Sequence, residues 1–286
     1  MFVVAGVSGH VGSVVASSLL AQKQKVRVLV RDEAKSKEWS QAGAQVAVGT
    51  LEDEQFLTGA LEGARGFFTL LPPNYQAKDF FATQKKTADA IAAAVKRSGV
   101  PHVVMLSSVG ADLAAGTGPI KGLHYLEEKL RATGVQLTAI RAGSFQENFH
   151  NVLGAARQAG IFPNFAPSAD YPMPMIATRD IGALAAQSLL SPAAAKSEIV
   201  DLQGPAYSNR QVAEKLGGAL GKQLKVVDIP AAGHVAALMQ AGFSKELAGV
   251  FAEMYAGFAG GGISPKGDRL VQGKTGLDET IRASVR

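Results

Sequence analysis

The residues best placed to do chemistry stand at the start of the chain. Phe2-Val-Val-Ala-Gly6-Val-Ser-Gly9-His-Val-Gly12 runs an apolar strand into G-x-x-G-x-x-G. A helical pattern of Val11, Val14, Val15 and Leu19 opens directly behind it. Strand, glycine spacing and helix together are the context in which such a turn binds phosphate. Gly6 lets the chain reverse, Gly9 leaves room for a pyrophosphate to approach, and Gly12 lets the helix lie close to the sheet. The helix N-terminus adds free backbone N–H groups that favour an anion. An ordinary tight turn also uses glycine, but it does not need all three features at once. The expected cradle is Gly6, Ser8, Gly9, His10, Val11 and Gly12, and its expected ligand is a dinucleotide.

A second group bears on which dinucleotide. In NAD-binding folds of this kind an acidic residue about 20 positions past the glycines holds the ribose hydroxyls. Here Arg31 follows the second apolar run. A guanidinium can grip a 2′-phosphate with two parallel hydrogen bonds. Lys35, one helical turn on, offers another positive charge, while the Asp32 carboxylate could serve a ribose instead. The pattern favours NADP(H) over NAD(H).

These groups need a scaffold, and the hydrophobic rhythm supplies one. Short apolar runs fall at 2–5, 26–30, 45–48, 67–71, 102–106 and 136–140, with helical patterns beginning near Val11, Glu33, Glu54, Lys78 and Ile120. Strands joined by crossover helices predict an α/β fold, a doubly wound parallel (Rossmann) sheet. Ligands of such sheets sit beyond the carboxyl ends of the strands. Past Phe145 the rhythm changes. Pro163, Pro167, Pro172 and Pro174, with Tyr171 among them, mark a loop-rich segment. A strand at 173–176, a helix at 178–190 and a strand at 198–202 follow. Ser208 is placed to cap a helix reaching about Leu220, a strand is expected at 224–229, and two alanine-rich helices end near Phe258. Gly260 to Gly262 then looks like a hinge into a polar tail. The expected organisation is a cofactor-binding domain of 1–150, with 173–203 returning to it. A smaller α+β substrate-binding lobe takes 151–172 and 204–286.

Composition narrows the function classes. The chain has 286 residues, 47% hydrophobic and 19% charged, which is a globular balance. A formal charge of +5 with one Trp and no Lys/Arg run gives no reason to expect nucleic acid. Cysteine is absent, so disulfides, thiolate nucleophiles and cysteine-ligated metals are excluded. The five histidines are scattered without metal-ligand spacing, and no metal is expected. There is no Gly-x-Ser-x-Gly elbow for hydrolysis. Met1 leads directly into a strand and no apolar run is long enough to span a bilayer. A cytoplasmic protein with no signal segment and no membrane partner is expected.

Several further segments resemble the NmrA-like branch of the short-chain dehydrogenase/reductase superfamily. They are the glycine turn at 6–12, Val48-Gly-Thr50-Leu51-Glu-Asp53, Thr69-Leu-Leu-Pro72-Pro73 and Ser107-Ser108-Val-Gly110-Ala111. Glu127-Glu-Lys-Leu130 with Thr133-Gly134 leads to Thr138-Ala-Ile-Arg141-Ala-Gly143-Ser-Phe145-Gln-Glu-Asn148, the most specific block. Thr178-Arg-Asp180-Ile181-Gly182 and Leu202-Gln-Gly204-Pro205 also fit. The resemblance implies that Thr50 and Leu51 lie by the adenine, that Leu70, Leu71 and Pro72 flank the cofactor, and that Ser107 and Phe145 approach it. It further implies a range of activities, from reductases of quinones, azo dyes or related acceptors to nucleotide-binding regulators.

Catalytic residues carry over less well. Superfamily enzymes commonly use Tyr-x-x-x-Lys, where a lysine lowers the tyrosine's pKa for proton exchange with a carbonyl. Tyr125 and Lys129 have that spacing, but counting back from Glu127 and Arg141 puts the family lysine near Leu123 and the tyrosine at Pro119. The Tyr125/Lys129 spacing is therefore read as a coincidence of an amphipathic helix. His124 is the catalytic candidate there, as proton donor or acceptor-orienting group; a histidine bonded to backbone is the plainer alternative. Lys121 is weighed as a stand-in lysine against a solvent-facing role. Phe145 can stack on a flat ring and Asn148 can bond an acceptor. Asn74, Tyr75 and Tyr171 are candidates for the pocket rim. The leading expectation is an NADPH-dependent reductase of small, flat, electron-poor acceptors, working as a monomer or homodimer. The alternative is a non-catalytic NADP(H)-sensing regulator.

Overall fold

In a computed structural model, residues 1–285 are described. The first six strands are β1 (Phe2–Val4), β2 (Val26–Val30), β3 (Gln45–Val48), β4 (Gly66–Leu70), β5 (His102–Ser108) and β6 (Gln136–Ala142). Between them run α1 (His10–Ala21), α2 (Ser36–Gln41), α3 (Glu54–Leu61), α4 (Phe80–Ser98) and α5 (Ile120–Thr133). After these come β7 (Ser144–Phe145), α6 (Leu153–Ala159), β8 (Ile161–Asn164), β9 (Met173–Ile176), α7 (Thr178–Leu190), β10 (Ser197–Gln203) and β11 (Ala206–Tyr207). The chain closes with α8 (Asn209–Leu220), β12 (Lys225–Asp228), α9 (His234–Gln240), α10 (Lys245–Ala259), β13 (Arg269–Gln272) and α11 (Leu277–Ser284).

The main sheet has eight strands in the order β13-β10-β6-β5-β4-β1-β2-β3. Its pairings are parallel, with Phe2 opposite both Val26 and Gly66. Strand order therefore reverses at β1, and the glycine turn leaves the sheet at that switch point. Period-two alternation divides β1 between two cores. Phe2 and Val4 join Val15, Leu19, Ile181 and Leu189 under α1 and α7. Val3 and Ala5 join Leu57, Ile91 and Leu126 under α3, α4 and α5.

Four helix starts, those of α3, α4, α8 and α10, carry side-chain caps. Asp53 accepts the Phe56 amide at 2.9 Å, Asp79 the Ala82 amide at 2.8 Å, and Ser208 forms a capping box with Gln211. The Asp79 cap moves the start expected near Lys78 to Phe80. The helix expected from Glu33 is a short 3-10 turn, Glu33–Lys35, before α2.

The second half corrects the expected layout in three places. The segment after Gly262, expected as a polar tail, carries a strand and a helix. Its strand β13 pairs in parallel with β10 at the edge of the main sheet, and α11 packs Leu277 and Ile281 into the small lobe's core with Phe149, Phe162 and Leu216. Arg269–Gln272 thus belongs to the large sheet, not to the lobe of 204–286. Carboxylates hold it there. Asp268 accepts the Ile199 amide at 2.7 Å, and Asp180 accepts the amides of Lys274 and Thr275 at 2.9 Å each. Within 173–203, β10 enters the main sheet but β9 instead joins a three-stranded sheet, β11-β9-β7. Finally, Ile161–Asn164 makes an unexpected strand despite Pro163, because it needs pairing only with β12. Among the described residues no helix is long and apolar enough to cross a membrane.

Candidate cofactor cleft and acceptor site

The glycine turn has the geometry of an anion cradle. Gly6 sits at φ +69°, and a Cβ there would strike the Leu70 side chain. A Cβ on Gly12 would lie 2.5 Å from the Gly6 carbonyl carbon and 2.6 Å from the Ala5 oxygen, so only glycine lets α1 approach β1 this closely. The Gly9 amide donates to the Gly6 carbonyl at 2.9 Å. No side chain caps Gly9, and the first helical bond runs from the Ser13 amide to the Gly9 carbonyl at 3.2 Å. The amides of His10, Val11 and Gly12 are left as free donors of the first turn. Ser8, Gly9 and His10 are exposed while Val11 anchors in the core. The His10 ring stacks 5.8 Å from His150, which hangs over the turn from the segment after β7. Free amides, an open approach and a positive helix end fit a pyrophosphate.

At the end of β2 the side chains separate in role. Asp32 accepts the Ala34 amide at 2.9 Å and so caps the following turn. Arg31 and Lys35 are exposed. Neither has an ion-pair partner among the described residues. Thr50 is exposed and Leu51 packs partly against the core behind β3. Leu70 lies under Gly6, Leu71 is buried, and Pro72 is half-buried at the start of the loop after β4.

The α5 candidates point in different directions. The Tyr125 hydroxyl donates to Asp89 of α4 at 2.8 Å, and Lys129 Nζ lies 3.1 Å from the same carboxylate. That pair belongs to the α4–α5 contact. His124 Nδ1 lies 2.9 Å from the Ala111 carbonyl oxygen. A carbonyl only accepts, so Nδ1 carries the proton and neutral His124 keeps a lone pair on Nε2. Lys121 Nζ lies 3.1 Å from Glu253 of α10 and 4.3 Å from the Phe81 ring centroid. It ties α5 to α10.

Under the cleft floor lies a network that the motif spacing did not identify as such. Glu127, wholly buried, receives Arg141 through two bonds, Nε to Oε1 at 3.0 Å and Nη2 to Oε2 at 2.8 Å. Arg131 Nη2 joins at 2.8 Å, and the Ser107 hydroxyl donates to Oε1 at 2.6 Å. The Ser107 side chain is thus engaged by Glu127. Phe145 is half-buried and packs partly against the core at β7, while Asn148 is exposed with its amide 3.4 Å from Ser144 Oγ. Asn74 makes a turn by accepting the Gln76 amide at 3.2 Å. Tyr75 meets Phe243 and Phe251 edge-on at 5.9 and 5.8 Å, joining the loop after β4 to the α9–α10 connection and to α10. Tyr171 is exposed in the 166–172 loop, beside the Asp170–Arg210 ion pair. Among the described residues no cluster of three or more His, Asp or Glu could hold a metal ion.

A parallel sheet with a phosphate turn at its switch point, a small lobe beyond it and a buried Glu127–Arg141 anchor define the class. The chain belongs to the NmrA-like family, whose family model matches residues 1–279. The NAD(P)H azoreductase of Xenophilus azovorans is 30% identical over 260 residues, which cover 90% of this chain and 86% of that protein. Quinone oxidoreductase 2 of Escherichia coli (strain K12) is 28% identical over 270 residues, 92% of this chain and 90% of that one. The crystal structure of the NADPH-dependent quinone oxidoreductase of Escherichia coli complexed with NADPH superimposes with a TM-score of 0.79 at 23% identity, over 99% of both chains.

Proposed function

We propose that this chain is an NADPH-dependent reductase of flat, electron-poor acceptors such as quinones, azo compounds or conjugated carbonyls. The observation that carries the reading is the uncapped start of α1 beside Gly6, Gly9 and Gly12, with Arg31 unpaired at the end of the neighbouring strand. Relatives named for NAD(P)H azo and quinone reduction support the same class. The free amides of His10, Val11 and Gly12 hold the pyrophosphate. Arg31 and Lys35 take the 2′-phosphate, and Thr50 and Leu51 border the adenine. Leu70, Leu71, Pro72 and Phe145 wall the nicotinamide end, where the cofactor supplies a hydride. His124 bonds the Ala111 carbonyl through Nδ1, which leaves Nε2 to hydrogen-bond a ligand. His124 is thus placed to orient a ligand, and Asn148 and Tyr75 border the acceptor.

Residues 1–150 with 173–203, extended by β13, form the cofactor-binding part. The segments 151–172 and 204–268 with α11 form the acceptor side. The partners proposed are small acceptors, acting on a monomer or homodimer in the cytoplasm. The test is steady NADPH oxidation against a panel of quinones and azo dyes, beside direct measurement of NADPH binding. Turnover with at least one acceptor is expected. Tight NADPH binding with no turnover on any acceptor would leave the nucleotide-sensing regulator as the better reading.

A further inference from the structure

Helix α10 lies across the mouth of the main sheet. One side packs on the connection between β5 and α5: a Cβ on Gly118 would meet Met254 Cβ at 2.9 Å, and one on Gly257 would strike the Gly116 carbonyl. The Gly116 amide and Lys121 Nζ bind the Glu253 carboxylate at 2.9 and 3.1 Å. That connection leaves the carboxyl end of β5, so α10 stands where ligands of such sheets bind. Phe251 and Tyr255, four residues apart, share another side of the helix. Phe251 meets Tyr75 of the loop after β4. Tyr255 stacks on Phe165, ring centroids 5.0 Å apart and planes 12° from parallel.

His234 closes this wall edge-on at 5.5 Å from Tyr255, but its Nε2 is engaged by the Ile229 carbonyl at 3.0 Å. The Tyr255 hydroxyl has no hydrogen-bond partner among the described residues, although its ring is enclosed by aromatic neighbours. The hydroxyl is not among the buried polar atoms left without a partner, so it is open to solvent, where a ligand can meet it. Burial, helped by nearby Tyr75, pushes the Tyr255 phenol up to about 12, so it remains a donor through the physiological range.

We propose that Tyr255 binds the acceptor, its hydroxyl donating a hydrogen bond to the carbonyl oxygen or azo nitrogen while Phe165 fixes the ring's aim. This assignment rests on the reductase reading. It gives the site a phenol donor from the small lobe, where Tyr125 on α5 is held by Asp89. In the reduction the acceptor gains a hydride from the dihydronicotinamide and one proton from water. Tyr255 keeps its own proton throughout and stabilises the negative charge that builds on the acceptor atom.

The test is Tyr255→Phe, which removes an unpartnered hydroxyl and should leave the thermal midpoint unchanged. Calorimetry with a flat aromatic ketone, xanthone-2-carboxylate, reads acceptor-site affinity without turnover, and a parallel titration reads NADPH. The expected result is about tenfold weaker ketone binding with unchanged NADPH affinity. Where an acceptor is reduced, kcat/KM should fall by a similar factor. Equal ketone affinity in the two proteins, no ketone binding by the wild type, or an equal loss of NADPH affinity would each overturn the assignment. Absence of turnover with every acceptor would overturn the reductase reading instead, and the ketone titration would still decide on Tyr255.

Discussion

Glu127 and Arg141 form a buried two-pronged ion pair that joins α5 to β6, with Ser107 at the end of β5 donating to the same carboxylate. Three elements that border the cleft meet on one side chain. Removing one member of such a pair leaves the other charge buried and unmatched, which costs about 3–5 kcal/mol. Glu127→Gln is expected to lose stability on that scale in urea unfolding. A loss below about 1 kcal/mol would show that the network does not hold the floor.

Arg31 is exposed without an ion-pair partner, whereas its neighbour Asp32 is engaged as a cap. Arg31→Asp should weaken NADPH about 10- to 100-fold, the worth of a charge-assisted bidentate contact, and spare NADH. Equilibrium titration with both nucleotides checks this. Equal losses would place Arg31 away from the 2′-phosphate.

Tyr125 donates to Asp89, which also draws Lys129. The Asp89 carboxyl lies below its usual range: burial works against this shift, and the hydrogen bonds from Tyr125 and Lys129 outweigh it. Tyr125→Phe should therefore keep nearly full turnover and cost about 0.5 kcal/mol of stability. A collapse of kcat in a protein that still folds and binds NADPH would make Tyr125 catalytic after all.

His102 is buried at the start of β5, with Nε2 3.1 Å from Thr138 Oγ1 and Nδ1 without a partner. Burial holds its pKa below the ordinary 6.5, against a smaller opposite pull from Glu198. The unfolded chain therefore takes up a proton first as pH falls. Stability associated with neutral His102 is complete above about 6.5 and declines as pH drops toward the lowered folded value. Thermal midpoints followed from about pH 7.5 to about pH 5 should fall less steeply in His102→Gln than in the wild type. Identical slopes would remove His102 from the account.

The block from Arg141 to Asn148 was conspicuous in the sequence, yet most of its side chains act in assembly. Arg141 locks to Glu127. Gln146 donates to the carbonyls of Met175 and Thr275 at 3.2 and 2.8 Å, and Glu147 accepts the Thr178 amide that starts α7 at 3.0 Å. Such a motif identifies a family without separating what binds from what builds. Tyr255 gave no comparable signal, since an aromatic on an alanine-rich helix looks like core until its neighbours are known.

The sequence by itself determined the cofactor side. Glycine at 6 and 12 and the strand-to-helix pattern are local requirements of a few residues, and the β1 turn obeys them. Strands β1, β2, β4, β5 and β6 were legible for the same reason: buried parallel strands write themselves as short apolar runs, and the edge strand β3 keeps the same apolar character. Tertiary structure alone decided the rest. The strand β13 is short and mostly exposed, and it forms because β10 offers a ladder and Asp268 and Asp180 hold the chain beside it. The aromatic side of α10 gathers Tyr75 and Phe165 against Phe251 and Tyr255 from segments far apart in the chain. Side-chain direction separates the α5 candidates, because Tyr125 and Lys129 face α4 while His124 faces the β5–α5 connection. Spacing along a helix says which residues share a face; only packing says what that face meets.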